Sequence, residues 1–239
     1  MKTTKLFSIT LFCSLLSLSA IVQASQSGNS RQTRKVEAFH GISVSSGIEL
    51  FLTQKDQQEV RVEADDEDME NLVTKVEDGI LKIYMKNNSW FNMDWSSTSR
   101  KVYVSFKNLD WLQASAGSDV VSQGVLNLDK LDVNASSGSD IELELNASEV
   151  SAESSSGSDI SLKGKGLSIR ANASSGSEIN AGDFQAKRCH ADVSSGSDIR
   201  VYVTEELDAN ASSGGDIGYA GNPAHKDINE SSGGDVHSR

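Results

Sequence analysis

The chain contains very little cysteine and proline. Two cysteines and one proline occur among its 239 residues. Cys13 lies in an N-terminal apolar run that is expected to be removed, which leaves Cys189 as the one thiol and excludes an intramolecular disulfide. Because Cys189 stands at an inward strand position, we expect it to be a buried free thiol and not a reactive nucleophile.

Basic residues are also scarce. The chain has 22 Lys and Arg against 34 Asp and Glu, a net charge of −12. The N-terminal run carries Lys2 and Lys5 and no acid, so the mature chain has 20 basic against 34 acidic residues and a net charge of −14. Such acidity argues against nucleic acid or an anionic membrane as a partner.

Groups that could converge for catalysis are hard to find. The four histidines, His40, His190, His225 and His237, show neither metal-ligand spacing nor a serine in a nucleophile context. The glycine-rich stretches lack the Gly-Lys-Ser/Thr of a phosphate loop. The sequence therefore predicts a protein that is not an enzyme and needs no cofactor.

One long apolar run is present, and it is N-terminal. Residues 6–22 are apolar after two lysines, and Val22-Gln23-Ala24 is a small-x-small cleavage site. Residues 1–24 are thus predicted to be a signal peptide, with no later membrane insertion. Residues 25–35 are polar without an apolar period and are predicted to be a flexible leader. We place one domain at 36–239, with an irregular β-rich part at 36–110 and regular coils at 111–239.

The most abundant pattern is a repeated phrase, Ser-Ser-Gly-Ser-Asp-Ile, at 136–141, 155–160 and 194–199. With its close variants it places glycines about one coil apart, at Gly117, Gly138, Gly157, Gly176, Gly196, Gly214 and Gly233. A period of 18 to 21 residues is typical of a stacked solenoid.

Small or apolar residues alternate with polar ones on both sides of each glycine. Leu131, Val133 and Ala135 precede Gly138, and Ile141 and Leu143 follow it. Alternation of this kind predicts strands with one buried face. The strands are too close in sequence for helical crossovers, so the prediction is all-β: a single-stranded parallel β-helix with about 19–20 residues per coil. The glycine supplies the positive φ that a sharp corner needs.

Stacking would align the acidic residue of each phrase at about 4.8 Å per coil. The predicted row comprises Asp119, Asp140, Asp159, Glu178, Asp198, Asp216 and Asp235. Repulsion between neighbours of about 0.9 kcal/mol in water must be offset. One interpretation is that turn amides, serine hydroxyls and water satisfy each carboxylate. The alternative is a file of Ca²⁺ ions along Asp119 to Asp216, since hard cations take several oxygen ligands.

The part before the repeats is less regular. Residues 45–49 resemble a first corner, and the alternating segments 59–64 and 101–106 are predicted strands. Residues 65–73 are predicted to form a short helix. Residues 75–85 are predicted to form a hairpin that turns at Asp78-Gly79. Between them lies an aromatic segment with Trp90, Phe91 and Trp95. It is either a lid over the solenoid or an exposed platform that binds a ligand. At the other end, Pro223 and Glu230 predict a capping coil that blunts end-to-end pairing.

These features together resemble a known family. The residues that carry the resemblance are the Ser-Gly-Ser-Asp coils and an N-terminal pattern of Phe39, Ile42, Val44, Gly47, Val76, Gly79, Leu81 and Ile83. In these positions the chain is similar to the putative auto-transporter adhesin head GIN domain family. The resemblance implies an exported β-solenoid of the bacterial envelope and supplies no ligand residues.

Three functions follow as hypotheses. The first is an adhesin or scaffold in the periplasm or on the surface of a Gram-negative bacterium, presenting Ser, Asn and Asp rows to a glycan or protein. The second is a glycan-active enzyme using a carboxylate pair with Arg200 or Lys187. The third is a structural protein that forms homo-oligomers through its solenoid ends.

Overall fold

The fold is a parallel β-solenoid with an irregular N-terminal part, as the sequence predicts. The structure, a computed structural model, describes residues 30–86 and 99–239. It is nearly all β, with about seven solenoid turns and one short helix. The predicted signal peptide, and Trp90, Phe91 and Trp95, lie outside the described residues.

The elements fall into two groups along the chain. The N-terminal part contains β1 (Ser30–Arg34), β2 (Gly41–Val44), β3 (Glu49–Gln54), β4 (Glu59–Ala64), α1 (Asp66–Asn71), β5 (Leu72–Glu77), β6 (Ile80–Met85) and β7 (Lys101–Phe106). The coils contain β8 (Trp111–Ala114), β9 (Asp119–Ser122), β10 (Leu126–Ser136), β11 (Asp140–Ser155), β12 (Asp159–Ser174), β13 (Glu178–Val193), β14 (Asp198–Ala211), β15 (Asp216–Ala220), β16 (His225–Glu230) and β17 (Asp235–Ser238).

Successive coils pair in parallel and in register. On β11 and β12, Ile141 lies opposite Ile160 and Ala152 opposite Ala171. The same relation continues from β12 to β13 and from β13 to β14, with bulges near Ala181. Equivalent side chains are therefore stacked in rows along the solenoid axis.

The inward rows form the core. The residues that the sequence assigns to the inside are all buried: Leu131, Val133, Ala135, Val150, Ala152, Ser154, Ile169, Ala171, Ala173, Cys189, Ala191, Val193, Leu207, Ala209 and Ala211. Phe184 is also fully buried.

The first coil does not stack on its neighbour in sequence. Strands β2 and β3 pair in parallel with β8 and β9, about seventy residues later in the chain. On their other side they pair in parallel with β6 and β7. Antiparallel strands β5 and β4 then close this end of the solenoid.

The local predictions for this part are confirmed, with one exception. The helix α1 begins at an Asp65 cap, and β5 and β6 form the hairpin around Asp78-Gly79. The predicted leader, 25–35, is wrong over 30–34, where β1 pairs antiparallel with β4. Backbone pairing and the ion pair between Arg31 and Glu63 order this polar strand without an apolar face.

The last described coil, β16 and β17, begins just after Pro223 and contains Glu230, the two residues for which the sequence predicts a cap. Ile228 faces the end of the core and is 38% exposed. Glu230 stands where other coils carry alanine or valine, and its Oε1 accepts a hydrogen bond from the Val236 N–H at 2.8 Å. A carboxylate at this rung disfavours further strand pairing.

Candidate functional site

The repeated phrase forms a stacked corner. In each coil two consecutive residues have positive φ, as at Ser156 (58°) and Gly157 (67°). The glycine N–H then donates to a serine carbonyl of the next coil, for example Gly157 to Ser175 at 3.2 Å. The sequence predicts the positive φ of the glycine but not that of the residue before it.

In five of the described coils the serine after the corner glycine is buried, namely Ser118, Ser139, Ser158, Ser177 and Ser197. The Ser158 hydroxyl accepts from the Ser155 N–H at 3.2 Å and lies 2.6 Å from the Ser155 carbonyl oxygen. Ser139 and Ser177 bond to the preceding turn amide in the same way. In these corners the side-chain partner of the turn amide is therefore a serine and not the carboxylate of the first interpretation.

The acidic residues of the phrase form one continuous row. Pairing places Asp119 beside Asp140, and the row continues through Asp159, Glu178, Asp198, Asp216 and Asp235. Glu49 of the first coil precedes it, beside Asp119. The sequence could not place Glu49 there, because its neighbour in the row is seventy positions away.

Electrostatics within the row are unfavourable at its N-terminal end. Partial burial, and then the charge of Asp140, raises the pKa of Asp119; partial burial and Asp159 raise the pKa of Asp140. Further along, Arg200 forms an ion pair with Glu178. At the N-terminal end of the row, Lys101 Nζ lies 3.6 Å from Glu49 Oε2. These contacts do not test the prediction that Ca²⁺ ions bind along the row.

A first groove runs along the strands that lead into the corners. Its volume is about 680 Å³, and its floor consists of two rows of outward side chains. One row is Gln113, Asn134, Glu153, Asn172, Asp192, Asn210 and Asn229, and the other is Ser136, Ser155, Ser174, Ser194, Ser212 and Ser231. No lysine or arginine lines this groove within the described ranges. We call it the amide groove.

The amide row is linked from coil to coil. Asn210 Nδ2 donates to Asp192 Oδ1 at 2.9 Å, and Asn229 Nδ2 donates to Asn210 Oδ1 at 3.1 Å. Each link uses one donor and leaves other amide and carboxylate positions facing solvent. The row is thus preorganised and retains hydrogen-bonding capacity for a ligand.

A second groove of about 980 Å³ lies beside it on the same sheet and carries charges of both signs. His190 lies between Asp208 (Nδ1 to Oδ2, 2.7 Å) and Asp192 (Nε2 to Oδ2, 2.8 Å). Cys189 lies in its wall, and burial raises the pKa of this thiol to about 12. The thiol is therefore protonated near neutral pH and is not a nucleophile, as its inward position predicts.

An aromatic stack that the sequence does not reveal lies on the N-terminal part. Phe51 and Tyr103 are stacked at 5.0 Å, and Arg61 lies 4.4 Å from the Tyr103 ring centre. Phe51 and Arg61 belong to the strands on either side of Tyr103, so both faces of that ring are covered. The stack stabilises the surface of the N-terminal part and offers no open ring face of Tyr103 to a sugar.

The residues of the enzyme hypothesis are held by separate partners. Arg200 pairs with Glu178, and Lys187 Nζ lies 3.0 Å from Glu205 Oε1. Each cation thus neutralises a carboxylate one coil away. As for membrane insertion, none of the helical structure in the described ranges has the length and apolar character that a bilayer crossing requires.

Solved structures of low sequence identity share this fold. A putative adhesin from Bacteroides fragilis NCTC 9343 is 20% identical, with a TM-score of 0.82 over 88% of this chain and 97% of that chain. A putative lipid binding protein from Parabacteroides distasonis ATCC 8503 is 22% identical, with a TM-score of 0.70 over 90% and 98%. A putative adhesin from Parabacteroides merdae ATCC 43184 is 15% identical, with a TM-score of 0.68 over 90% and 97%.

No curated protein sequence matches the chain significantly. A family model does match it over residues 38–223. This range includes most of the N-terminal part and all of the coils except the last. That family is described as the putative auto-transporter adhesin, head GIN domain. The match covers well over half of the chain, and the structural neighbours share its solenoid. The chain is therefore a member of the putative auto-transporter adhesin, head GIN domain family.

Proposed function

We propose that the protein is a non-enzymatic binding protein of the cell envelope that holds an extended, uncharged glycan in the amide groove. The observation that carries the proposal is the pair of amide and serine rows, which repeat in successive coils. A polymer lying along the solenoid axis would meet the same donors and acceptors at each coil, about 4.8 Å apart. Family membership supports a role in adhesion at the cell surface.

The chemistry of the groove favours hydroxyl-rich ligands. Asparagine side chains donate and accept, and serine hydroxyls do both, so together they match sugar hydroxyls of either polarity. The groove also carries Glu153, Asp192 and Glu230 without a lysine or arginine in its described lining. Repulsion from these carboxylates disfavours acidic polysaccharides and phosphate-bearing partners.

The regularity of the groove supports binding over catalysis. A glycosidase needs two carboxylates in unlike environments at one point of a glycan. Here the polar residues recur from coil to coil. Lys187 and Arg200, the cationic side chains of the enzyme hypothesis, form ion pairs outside this groove. Export, which the predicted signal peptide and the family support, would place this surface where it meets envelope or external glycans.

The test is a glycan array with the mature chain, residues 25–239, containing neutral, amino-sugar and acidic oligosaccharides. We expect retention of neutral chains of several units, including N-acetylated amino sugars, with weaker binding of their short fragments and none of polygalacturonate. Absence of binding to every neutral glycan would contradict the proposal. Release of shortened products from a bound glycan would replace it with the enzyme hypothesis.

A pair of double variants locates the site. Asn172→Ala with Asn210→Ala removes two members of the amide row, and we expect at least a tenfold loss of affinity for the best array ligand. Ser161→Ala with Asn180→Ala changes two stacked residues that do not line the amide groove, and it should leave the affinity unchanged. Equal affinities of the two variants would exclude the amide groove, provided both melt like the parent chain.

The aromatic segment remains a separate prediction. Trp90→Ala with Trp95→Ala should abolish binding only if these residues form the platform that the sequence suggests. The tryptophan variant could lose all glycan binding while the Asn172 and Asn210 variant binds like the parent. This result would place the site in the aromatic segment and not in the amide groove.

A further inference from the structure

The carboxylate row ends in a cluster of different chemistry. Asp216 of β15 and Asp235 of β17 are paired in register, and His237 follows two residues later. His237 Nδ1 lies 3.3 Å from Asp235 Oδ2 and 3.5 Å from Asp216 Oδ2. One nitrogen and two carboxylate oxygens thus lie within 4.8 Å of one another.

These separations differ from those of the other histidines that contact aspartates. His190 lies 2.7 and 2.8 Å from its two aspartate oxygens, and His40 lies 2.8 Å from Asp110. Those are hydrogen-bonded distances, whereas 3.3 and 3.5 Å are too long for a good N–H···O bond. A tetrahedral ion with ligand bonds of about 2.0–2.1 Å separates its ligand atoms by about 3.3–3.4 Å.

The position of His237 in the repeat supports the same conclusion. Arg200, two residues after Asp198, pairs with Glu178 of the preceding coil. Gly218 and His237 are the equivalents of Arg200 in the next two coils. A fixed cation therefore neutralises the row at one coil, while at its end the same place holds an imidazole, whose nitrogen can bind either a proton or a metal.

We propose that Asp216, Asp235 and His237 bind one divalent transition metal ion such as Zn²⁺, with water completing the coordination. Three protein ligands and an open position are typical of such a site. The imidazole makes the donor set better suited to zinc than to calcium or magnesium, which prefer oxygen ligands alone. This inference concerns the end of the carboxylate row and is independent of the amide groove.

The surrounding charge is compatible with a cation. Asp198, the next residue in the row, pairs in register with Asp216 and adds a third carboxylate. The Arg239 side chain lies over Gly218 and brings one positive charge to the same end. With metal absent, a protonated His237 would act as a counter-ion like Arg200, and this is the alternative that the experiment must separate.

The experiment is a titration of untagged, chelator-treated mature chain with ZnCl₂ at pH 7.5, followed by calorimetry. We expect one saturable site per chain, at least tenfold weaker in His237→Asn and in Asp235→Asn. His190→Asn, which removes a histidine between two aspartates with hydrogen-bonded distances, should bind as the parent does. Both changes in the cluster lie on an exposed terminal strand, so folding should survive and melting curves can verify it.

Two further measurements decide between a metal ligand and a counter-ion. Zn²⁺ should raise the melting temperature of the parent and not that of His237→Asn, because only a species bound by the folded state stabilises it. Affinity should fall between pH 7.5 and pH 5.5, since protons compete for the imidazole. Equal zinc affinity in the parent and His237→Asn, or no saturable binding up to 100 µM ZnCl₂, would overturn the proposal.

Discussion

The two bends of a coil place different demands on their glycines. At the corner formed by the repeated phrase, Gly157 has a φ of 67°, and nothing lies within 4 Å of the place where a Cβ would stand. The second bend lies within β12, at Gly164. Gly164 has a φ of 122°, and a Cβ there would lie 2.0 Å from the Leu145 carbonyl oxygen. Gly221 makes the same approach to the Val203 carbonyl oxygen. The glycine of the repeated phrase, which recurs most regularly, is therefore the one with more space for a side chain. The closeness of a neighbouring backbone, and not regular recurrence, determines how much stability a glycine substitution costs.

The largest effect should come from Gly164→Ala. The added methyl would overlap a backbone oxygen that is itself in the sheet, so the two coils must separate. We expect a loss of on the order of 3 kcal/mol or more in the free energy of unfolding, measured by urea denaturation.

Gly157→Ala is the matched control. The αL conformation costs an L-residue about 1–2 kcal/mol, and Ser156 already adopts it in the same corner. We therefore expect Gly157→Ala to lower the free energy of unfolding by only about 1–2 kcal/mol. Equal losses for the two variants would show that conformation alone governs both bends.

An intermediate effect is expected for the buried serine of the first bend. Ser158→Ala leaves the Ser155 N–H without its hydroxyl acceptor, and an unsatisfied buried donor costs about 1–3 kcal/mol. Ser161→Ala, at an outward position of β12 three residues later, should change the stability by less than about 0.5 kcal/mol. If both substitutions proved neutral, the hydroxyls would not be what holds the corner together.

The smallest effect concerns the carboxylate that follows the first bend. Asp140 has a pKa raised above its ordinary value of 3.8 by partial burial and Asp159. A carboxyl with a raised folded-state pKa stabilises the fold below its unfolded pKa, and that contribution is lost as the pH rises through the folded-state value. Asp140→Asn should thus melt at a slightly higher temperature than the parent at pH 7 in calcium-free buffer, with no difference near pH 3.

Asp56→Asn, in a turn away from the row, is the control and should show no such pH-dependent gain. A lower melting temperature for Asp140→Asn at pH 7 would contradict repulsion within the row. The same assay tests the calcium file, because bound Ca²⁺ predicts a higher melting temperature in millimolar calcium than in chelator. Equal values would remove that alternative.

Much of the first bend could be predicted from the sequence because its information is local. Period-two alternation around Gly138 gives the strands, the buried face and the corner, and equal spacing gives the rows. The second bend is less predictable, because Gly164 resembles any polar corner until Leu145 of the previous coil is placed beside it. His237 is similar: nothing in its local sequence indicates that its ring would meet Asp216, one coil earlier in the chain.

The N-terminal part shows the same limit on a larger scale. Its hairpin, helix and alternating strands follow from local patterns, but their order in the sheet does not. Residues 30–34 lack any apolar period and still form a strand, since β4 offers an open edge. The segment that carries Trp90 and Trp95 lies outside the described residues and remains a sequence prediction.

The sequence by itself determined the coil: which side chains point inward, where the chain turns, and that like residues recur at one place in each turn. These are properties of neighbouring residues and of a repeat. Only the tertiary structure decided that the first coil stacks on one seventy residues later, that Glu49 lies in the acidic row beside Asp119, and that His237 lies beside Asp216 and Asp235. Such contacts depend on how distant segments close the two ends of the solenoid, and a periodic pattern carries no information about its ends.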